Sequence, residues 1–260
     1  MKVLILPDEH SAMQRAADIV ARTVRNKPDA VLGLATGGTM LPLYEALAQR
    51  HRDEGLSFAA TTSFNLDEYI GLAPEHPCSY HSYMREAFFD RVDIDRTRTH
   101  LPKGDADDPQ AASLEYEALI ENAGGIDLQL LGIGQNGHIG FNEPTASLGS
   151  RTRIKTLTDS TRRANQRYFN SFEETPRYAI TMGVATILAS RKCLLLATGE
   201  AKADAVARMV EGPLSAACPA SALQLHAKAT IILDDAAAGQ LTLTDYYENV
   251  HPQGRDSVFD

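Results

Sequence analysis

The chain has 260 residues, of which 43% are hydrophobic, and its formal net charge at pH 7 is −9. The negative charge argues against nucleic acid and anionic membranes as partners, and no run of about 18 apolar residues predicts a transmembrane helix. Three widely separated cysteines without a CxxC pair favour reduced thiols over disulfides or zinc ligation, so we expect a cytoplasmic protein.

Apolar strands and amphipathic helices alternate along the chain. Strands are predicted over residues 3–6, 30–35, 58–66, 126–131, 192–198 and 229–233, and helices over residues 11–26, 41–52, 80–89, 111–122 and 201–211. Residues 95–110 contain two prolines and several aspartates and are predicted to be a surface excursion. Such alternation is typical of an α/β fold. We predict a single Rossmann-like domain over residues 1–260, with a mostly parallel sheet, helices on both faces, and an active-site lid over about 151–181.

The second predicted strand is followed by a turn of two glycines between two threonines, Thr36, Gly37, Gly38 and Thr39. Backbone N–H groups, hydroxyls and a helix N-terminus can together bind a phosphate group. The turn lacks the Gly-Lys-Ser/Thr of a Walker A loop. A phosphate site and an ordinary strand-to-helix turn therefore both fit this segment.

Two adjacent carboxylates, Asp67 and Glu68, follow the third predicted strand. Carboxylates in this position commonly cap the next helix. A carboxylate that is partly buried at a crevice can instead have a raised pKa and act as a general base. Because ligands of open α/β sheets bind at the carboxyl ends of strands, we expect this segment, the glycine turn and the segment after the next strand to meet.

That next segment, residues 132–144, surrounds His138 and Glu143 with four glycines. Its Gly-x-Gly-x-x-Gly pattern follows a strand, as a dinucleotide-binding fingerprint does. In the fingerprint the last glycine opens a helix, whereas Gly140 and Pro144 disfavour a helix here. We therefore predict no NAD(P) or FAD, and consider His138 and Glu143 the first candidates for acid–base chemistry.

Positive charge is concentrated in the second half of the chain. Residues 151–177 hold seven basic side chains against three acidic ones, which fits either a solvated surface or a cationic wall over an anionic substrate. Lys202 falls in the first turn of a predicted helix, where a cation opposes the helix dipole. A bound anion would explain that position, although a solvated surface lysine would fit as well.

Four segments together resemble the glucosamine-6-phosphate deaminase family: ATGGT at 35–39, FNLDEY at 64–69, GQNGHIGFNEP at 134–144 and SRTRIK at 150–155. The resemblance extends over essentially the whole chain. It implies conversion of D-glucosamine 6-phosphate and water to D-fructose 6-phosphate and ammonia, without a cofactor. It further implies that Asp67 is the enolising base, that His138 opens the sugar ring, and that Glu143 orients the imidazole. The substrate phosphate would be bound by Thr36, Gly37, Gly38, Thr39, Arg167 and Lys202.

The chain departs from the family at some positions. Asn136 stands where some members carry an aspartate that pairs with the histidine, and we expect its neutral amide to hold the ring by hydrogen bonding. Arg153 and Lys155 match the family's subunit-interface site for N-acetylglucosamine 6-phosphate. Ala146 replaces a serine of that site, and Lys192 replaces an acidic residue. Allosteric activation is therefore in doubt, and the assembly could range from monomer to hexamer.

Two other functions share some of these features. A 6-phosphogluconolactonase resembles this fold but should lack the base at Asp67 and the continuation of the loop through Glu143. A non-catalytic sugar-phosphate sensor should carry a DNA-binding helix pair, which the sequence before Val3 does not show. His138 and Glu143 lie five residues apart in a glycine-rich loop, unlike the HExxH pair of a zinc enzyme, so no metal is expected.

Overall fold

Strands and helices alternate over the part of the chain that the computed structural model describes, residues 1–256. The strands are β1 Lys2–Leu6, β2 Val31–Leu34, β3 Thr62–Asn65, β4 Asp67–Tyr69, β5 Thr99–His100, β6 Leu128–Leu131, β7 Arg153–Thr156, β8 Tyr178–Thr181, β9 Cys193–Ala197 and β10 Ala229–Asp234. The last four residues of the predicted domain, 257–260, lie outside the described residues.

The helices cover the sheet and connect its strands. They are α1 Glu9–Asn26, α2 Met40–Glu54, α3 Tyr80–Ala87, α4 Pro109–Asn122, α5 Asp159–Asn165, α6 Val184–Leu188, α7 Ala203–Val210, α8 Asp235–Ala238 and α9 Thr244–Val250. Between residues 1 and 256, none of them combines the length and apolar composition that crossing a membrane requires.

Seven strands form one parallel sheet in the order β1-β10-β9-β6-β2-β3-β5. All residues of β2, β6 and β9 are buried, as expected for strands covered on both faces. The predicted α/β fold with a mostly parallel sheet is confirmed. Since every strand of this sheet runs the same way, the loops after β2, β3, β6 and β9 lie at one edge.

A second, smaller sheet lies beside that edge. Its strands β4, β8 and β7 are antiparallel, and Asp67 of β4 pairs with Thr181 of β8. The chain between β7 and β8 contains α5 and the short 3₁₀ turn Gln166–Tyr168. The segment predicted as a lid therefore contains β7 and β8 near its two ends, and β8 pairs with β4 at Asp67.

Two predicted elements differ from the structure. The strand predicted over residues 58–66 begins only at Thr62, because the chain turns between Phe58 and Thr61, whose N–H donates to the Phe58 carbonyl at 2.9 Å. The predicted surface excursion over residues 95–110 includes β5, which pairs with β3 at the sheet edge. A strand of two residues has too few positions to show the alternation that predicts a strand.

Candidate active site

The loops after β2, β3, β6 and β9 surround one cavity of about 570 Å³ at the carboxyl ends of the parallel strands. Its lining includes the residues predicted to bind phosphate (Thr36, Gly37, Gly38, Thr39, Arg167 and Lys202) and three of the predicted catalytic residues (Asp67, Asn136 and His138). Glu143 is not on the cavity wall; it lies behind His138 and is 2% exposed. The structure thus brings together the segments that the sequence predicted to meet.

The glycine turn before α2 has little side-chain volume where a ligand phosphate could approach. Gly37 has φ of 112°, a conformation that side chains disfavour, and its carbonyl accepts a hydrogen bond from the Tyr83 hydroxyl at 2.8 Å. A Cβ at Gly38 would lie 3.5 Å from Nη2 of Arg167. The turn therefore holds its backbone against α3 and leaves its open side towards the guanidinium of Arg167.

Two cations face the same part of the cavity. Lys202 donates to the Ile133 carbonyl at 2.7 Å, and Arg167 donates to the Tyr168 hydroxyl at 2.9 Å. Burial lowers the pKa of Lys202, and the charge of Arg167 lowers it further. Among residues 1–256, no carboxylate lies within ion-pairing distance of either side chain. A bound anion would relieve this repulsion and supply the missing counter-charge.

Asp67 is buried, with 5% of its surface exposed, and lines the cavity together with Gly140. A Cβ at Gly140 would lie 3.2 Å from the Asp67 carboxylate, so the glycine permits this close approach. Burial raises the pKa of Asp67 to about 8, the charge of Glu68 adds to the rise, and a hydrogen bond from the Phe141 N–H opposes it. Asp67 can therefore exchange a proton near neutral pH.

The burial of Asp67 should reduce the stability of the protein at alkaline pH. A carboxyl whose folded pKa is about 8, against a reference value of 3.8, binds a proton in the folded state while the unfolded chain has lost it. Its contribution is fully present below the unfolded pKa and is lost as pH rises towards 8. We expect Asp67→Asn to gain stability relative to the parent over this window, by up to about 5 kcal/mol. Urea unfolding of both proteins at pH 4, 6, 8 and 9 measures the difference, and a difference independent of pH would contradict the assignment.

His138, Glu143 and Asn136 form a group opposite Asp67. Nδ1 of His138 lies 3.6 Å from Oε2 of Glu143, which is an ion-pair distance and longer than a hydrogen bond. Burial raises the pKa of Glu143, but interactions with His138, Thr161 and Asn136 outweigh it and lower the pKa to about 2. The carboxylate is therefore ionised at neutral pH and can stabilise a protonated imidazole.

Asn136 does not hold the imidazole ring as predicted. Its Nδ2 donates to Oε2 of Glu143 at 2.8 Å, and its Oδ1 accepts the backbone N–H of His138 at 3.2 Å. The amide thus ties Glu143 to the loop backbone, and the His138 ring nitrogen Nδ1 is left without a hydrogen bond of normal length. Asn136 positions Glu143 rather than the ring.

Several residues of the site belong to no motif that could be recognised in the sequence. Thr158, the N-cap of α5, donates its hydroxyl to Oε1 of Glu143 at 3.2 Å and so connects the predicted lid to the His138 group. Ser160, Thr161, Ala164 and Asn165 of α5 line the cavity, as does Tyr80 of α3. An amphipathic pattern identifies which face of a helix is polar, but it does not show that the face covers a cavity.

The residues predicted for a regulatory site lie outside this cavity. Arg153 and Lys155 are two residues apart in β7 and half-buried, and burial lowers the pKa of Arg153. Ala146 is buried at 2% exposure, and Lys192 is on the surface directly before β9.

Known proteins of one family match this chain over nearly its whole length. Residues 8–232 match the family described as glucosamine-6-phosphate isomerases/6-phosphogluconolactonase. The glucosamine-6-phosphate deaminase of Shewanella halifaxensis (strain HAW-EB4) is 52% identical over 255 residues, which are 98% of this chain and 97% of that protein. The glucosamine-6-phosphate deaminase of Rhodopirellula baltica (strain DSM 10527 / NCIMB 13988 / SH1) is 55% identical over 241 residues, 93% and 96% of the two chains.

Solved structures show the same fold at two levels of similarity. A monomeric glucosamine-6-phosphate deaminase matches with a TM-score of 0.91 at 49% identity, covering 92% of this chain and all of that one. The 6-phosphogluconolactonase from Trypanosoma cruzi matches with a TM-score of 0.74 at 18% identity, covering 93% and 97%. The second match shows a shared fold and no more.

Proposed function

The chain belongs to the family of glucosamine-6-phosphate isomerases and 6-phosphogluconolactonases, and we propose that within it the protein converts D-glucosamine 6-phosphate and water to D-fructose 6-phosphate and ammonia, without a cofactor. The observation that carries the proposal is one cavity whose lining contains Asp67, a buried carboxylate with a raised pKa, together with His138 and the residues predicted to bind phosphate. This aldose–ketose isomerisation needs those three elements.

The phosphate group of the substrate orients the sugar in the cavity. The Thr36–Thr39 turn supplies backbone N–H groups and hydroxyls, while Arg167 and Lys202 supply positive charge. The Lys202 ammonium donates one of its three N–H groups to the Ile133 carbonyl, and its other two remain for the phosphate. Binding energy gained at this remote group holds the sugar carbons in place between Asp67 and His138.

His138 acts on the ring oxygen. Ring opening transfers a proton from the C1 hydroxyl and delivers one to the ring oxygen, which yields the open-chain aldehyde. The carboxylate of Glu143 lies 3.6 Å from the imidazole and stabilises its charged form during this exchange. Asn136 and Thr158 hold Glu143 in that position through their hydrogen bonds.

Asp67 then acts on the carbon chain. Its carboxylate takes the proton from C2, and the C1 carbonyl oxygen takes a proton from the substrate's ammonium group, which gives a neutral enolamine. The Asp67 carboxyl then returns its proton to C1, which gives the protonated C2 imine. Water adds to the imine carbon, and loss of ammonia leaves the ketone of fructose 6-phosphate. A carboxyl whose pKa is about 8 is basic enough to accept the carbon-bound proton and acidic enough to return it.

The alternative within the family is a 6-phosphogluconolactonase, which would hydrolyse an ester and has no proton to move between C1 and C2. The purified protein should be assayed with glucosamine 6-phosphate and with 6-phosphogluconolactone at matched concentrations. We expect turnover of the amino sugar and none of the lactone. Lactone hydrolysis that persists in Asp67→Asn would favour the alternative, and binding of both without turnover would favour a sensor.

N-acetylglucosamine 6-phosphate should activate the protein weakly or not at all. Arg153 and Lys155 keep two charges of the family's regulatory site, but Ala146 cannot donate a hydroxyl hydrogen bond and Lys192 reverses a charge. An effector shifts activity only as far as it binds two states differently. Initial rates against substrate concentration, with and without 1 mM of the effector (about a typical metabolite level), should superimpose within a factor of about two, a small coupling on the usual scale. A sigmoidal curve that becomes hyperbolic would contradict this prediction.

The remaining expectations concern partners and location. We propose a small-molecule sugar phosphate as the partner, with neither nucleic acid nor membrane. The solved relative at 49% identity is monomeric, so a monomer is the simpler expectation, and a homo-oligomer is the alternative that sedimentation would reveal. Free thiols at Cys78, Cys193 and Cys218 agree with a reducing compartment such as the cytoplasm.

A further inference from the structure

Glu68 is a fully buried carboxylate that the proposed mechanism does not use. It is 0% exposed and follows Asp67 in β4, so the two side chains point to opposite faces of the strand. Asp67 faces the cavity, whereas Glu68 faces the N-terminus of α3 and the backbone of Gly104, where a Cβ would lie 3.1 Å from the Glu68 Cγ. A buried carboxylate directly behind a proposed base requires a physical explanation.

Four donors hold the Glu68 carboxylate. Oε1 accepts the backbone N–H of Tyr69 at 2.8 Å and of Tyr80 at 3.0 Å. Oε2 accepts the backbone N–H of His81 at 3.0 Å and lies 2.9 Å from Nδ1 of the same residue. Several hydrogen bonds from N–H groups favour the charged form of a carboxylate, as does the positive end of a helix. The buried Glu68 carboxylate is therefore held by N–H donors of the kind that a carboxylate anion accepts.

Few other charges lie around this pair of carboxylates. The titratable groups that face Asp67 or Glu68 are Tyr69 of β4, Tyr80 and His81 of α3, and Tyr116 of α4. Strand β8 contributes the uncharged Ile180 and Thr181, and Lys103 beside Gly104 pairs with Glu115 at the surface. His81, whose side chain is 29% exposed, is the member of this set that carries a positive charge when it is protonated.

We propose that Glu68 and His81 form a positioning pair for Asp67, in which the buried charge of Glu68 opposes ionisation of the base in the empty site and positive charge on His81 offsets that effect. The inference rests on the proposed role of Asp67. Helix capping alone would explain the two backbone contacts from α3, but it would not require the ring of His81 to face the same carboxylate. The ammonium group of an amino sugar supplies a compensating charge, so the base ionises when a cationic substrate occupies the cavity.

The ionisation of Asp67 can be followed without turnover, by ¹³C NMR of protein labelled at aspartate carboxyl carbons, with Asp67→Asn assigning the resonance. Glu68→Gln should lower the midpoint of the Asp67 titration by roughly one pH unit, because a like charge is removed at low dielectric. A role confined to capping α3 would reduce stability and leave this midpoint in place. The acid limb of the kcat/KM profile should move in the same direction.

A second comparison avoids removing the buried carboxylate. His81→Lys places a permanent charge beside Glu68, and His81→Gln keeps a donor without charge. The midpoint of Asp67 should be lower in the lysine variant than in the glutamine variant by about half a pH unit or more. Identical midpoints in these two variants, or an unchanged midpoint in Glu68→Gln, would overturn the inference and leave the proposed function standing. Near-normal turnover of Asp67→Asn would instead overturn the proposed function.

Discussion

Asp67→Asn should lower turnover of glucosamine 6-phosphate by about 10²–10⁴-fold, the usual contribution of a positioned proton carrier. The change keeps the size and shape of the side chain but removes its capacity to accept the C2 proton. KM should change little, since the groups that face the phosphate lie in other loops, at Thr36–Thr39, Arg167 and Lys202. Steady-state kinetics of ammonia release measure both constants.

A matched control for this variant is Asp159→Asn in α5, where the aspartate side chain is 75% exposed and does not line the cavity. It should retain near-normal turnover. If Asp67→Asn behaves like Asp159→Asn, the Asp67 carboxylate of β4 has only a structural role, and the proposed function is overturned.

Arg167→Ala and Lys202→Ala should each weaken substrate affinity by roughly ten- to a hundredfold. Each change removes a charge-assisted contact to the phosphate, which is worth about 1.5–3 kcal/mol. The two cations also repel each other in the empty site, because the charge of Arg167 lowers the pKa of Lys202. The effects should therefore fall short of additivity in the double variant. Calorimetric titration with a non-reacting sugar phosphate measures affinity directly.

Arg163→Ala is the matched control for these cations. Arg163 is an exposed residue of α5 that does not line the cavity, and its guanidinium lies 5.8 Å from the ring centre of Phe172. It should bind substrate as the parent does. Glucosamine without a phosphate should be a very poor substrate for the parent, and efficient turnover of it would show that Arg167 and Lys202 serve another ligand.

Six strands of the large sheet and the helices α1 to α4 and α7 were predicted from local sequence patterns. Strands β2, β6, β9 and β10 are short apolar runs bounded by polar or glycine residues. In a parallel sheet the carboxyl ends of all strands lie at the same edge, so the sequence order alone places the loops that follow them together. That is why the glycine turn, Asp67 and His138 could be placed in one site. The edge strand β5 was missed because its assignment depends on pairing with β3 and not on its own two residues.

Contacts between side chains within the site could not be predicted in the same way. The sequence places Asn136 two residues before His138, yet only the turn of the loop decides that its amide reaches Glu143 instead of the ring. Likewise, the chain separates Glu68 from His81 by twelve residues, and packing of α3 against β4 joins them. Such contacts depend on loop geometry, which residue spacing does not determine.

The central claim is that the protein releases ammonia from an amino sugar phosphate by moving a proton between C2 and C1. The most direct test incubates the purified protein with glucosamine 6-phosphate in the absence of any added cofactor and measures ammonia and fructose 6-phosphate together. The account predicts that both products appear in equal amounts and that Asp67→Asn slows both equally. Fructose 6-phosphate without ammonia, ammonia without fructose 6-phosphate, or no consumption of the amino sugar would contradict it.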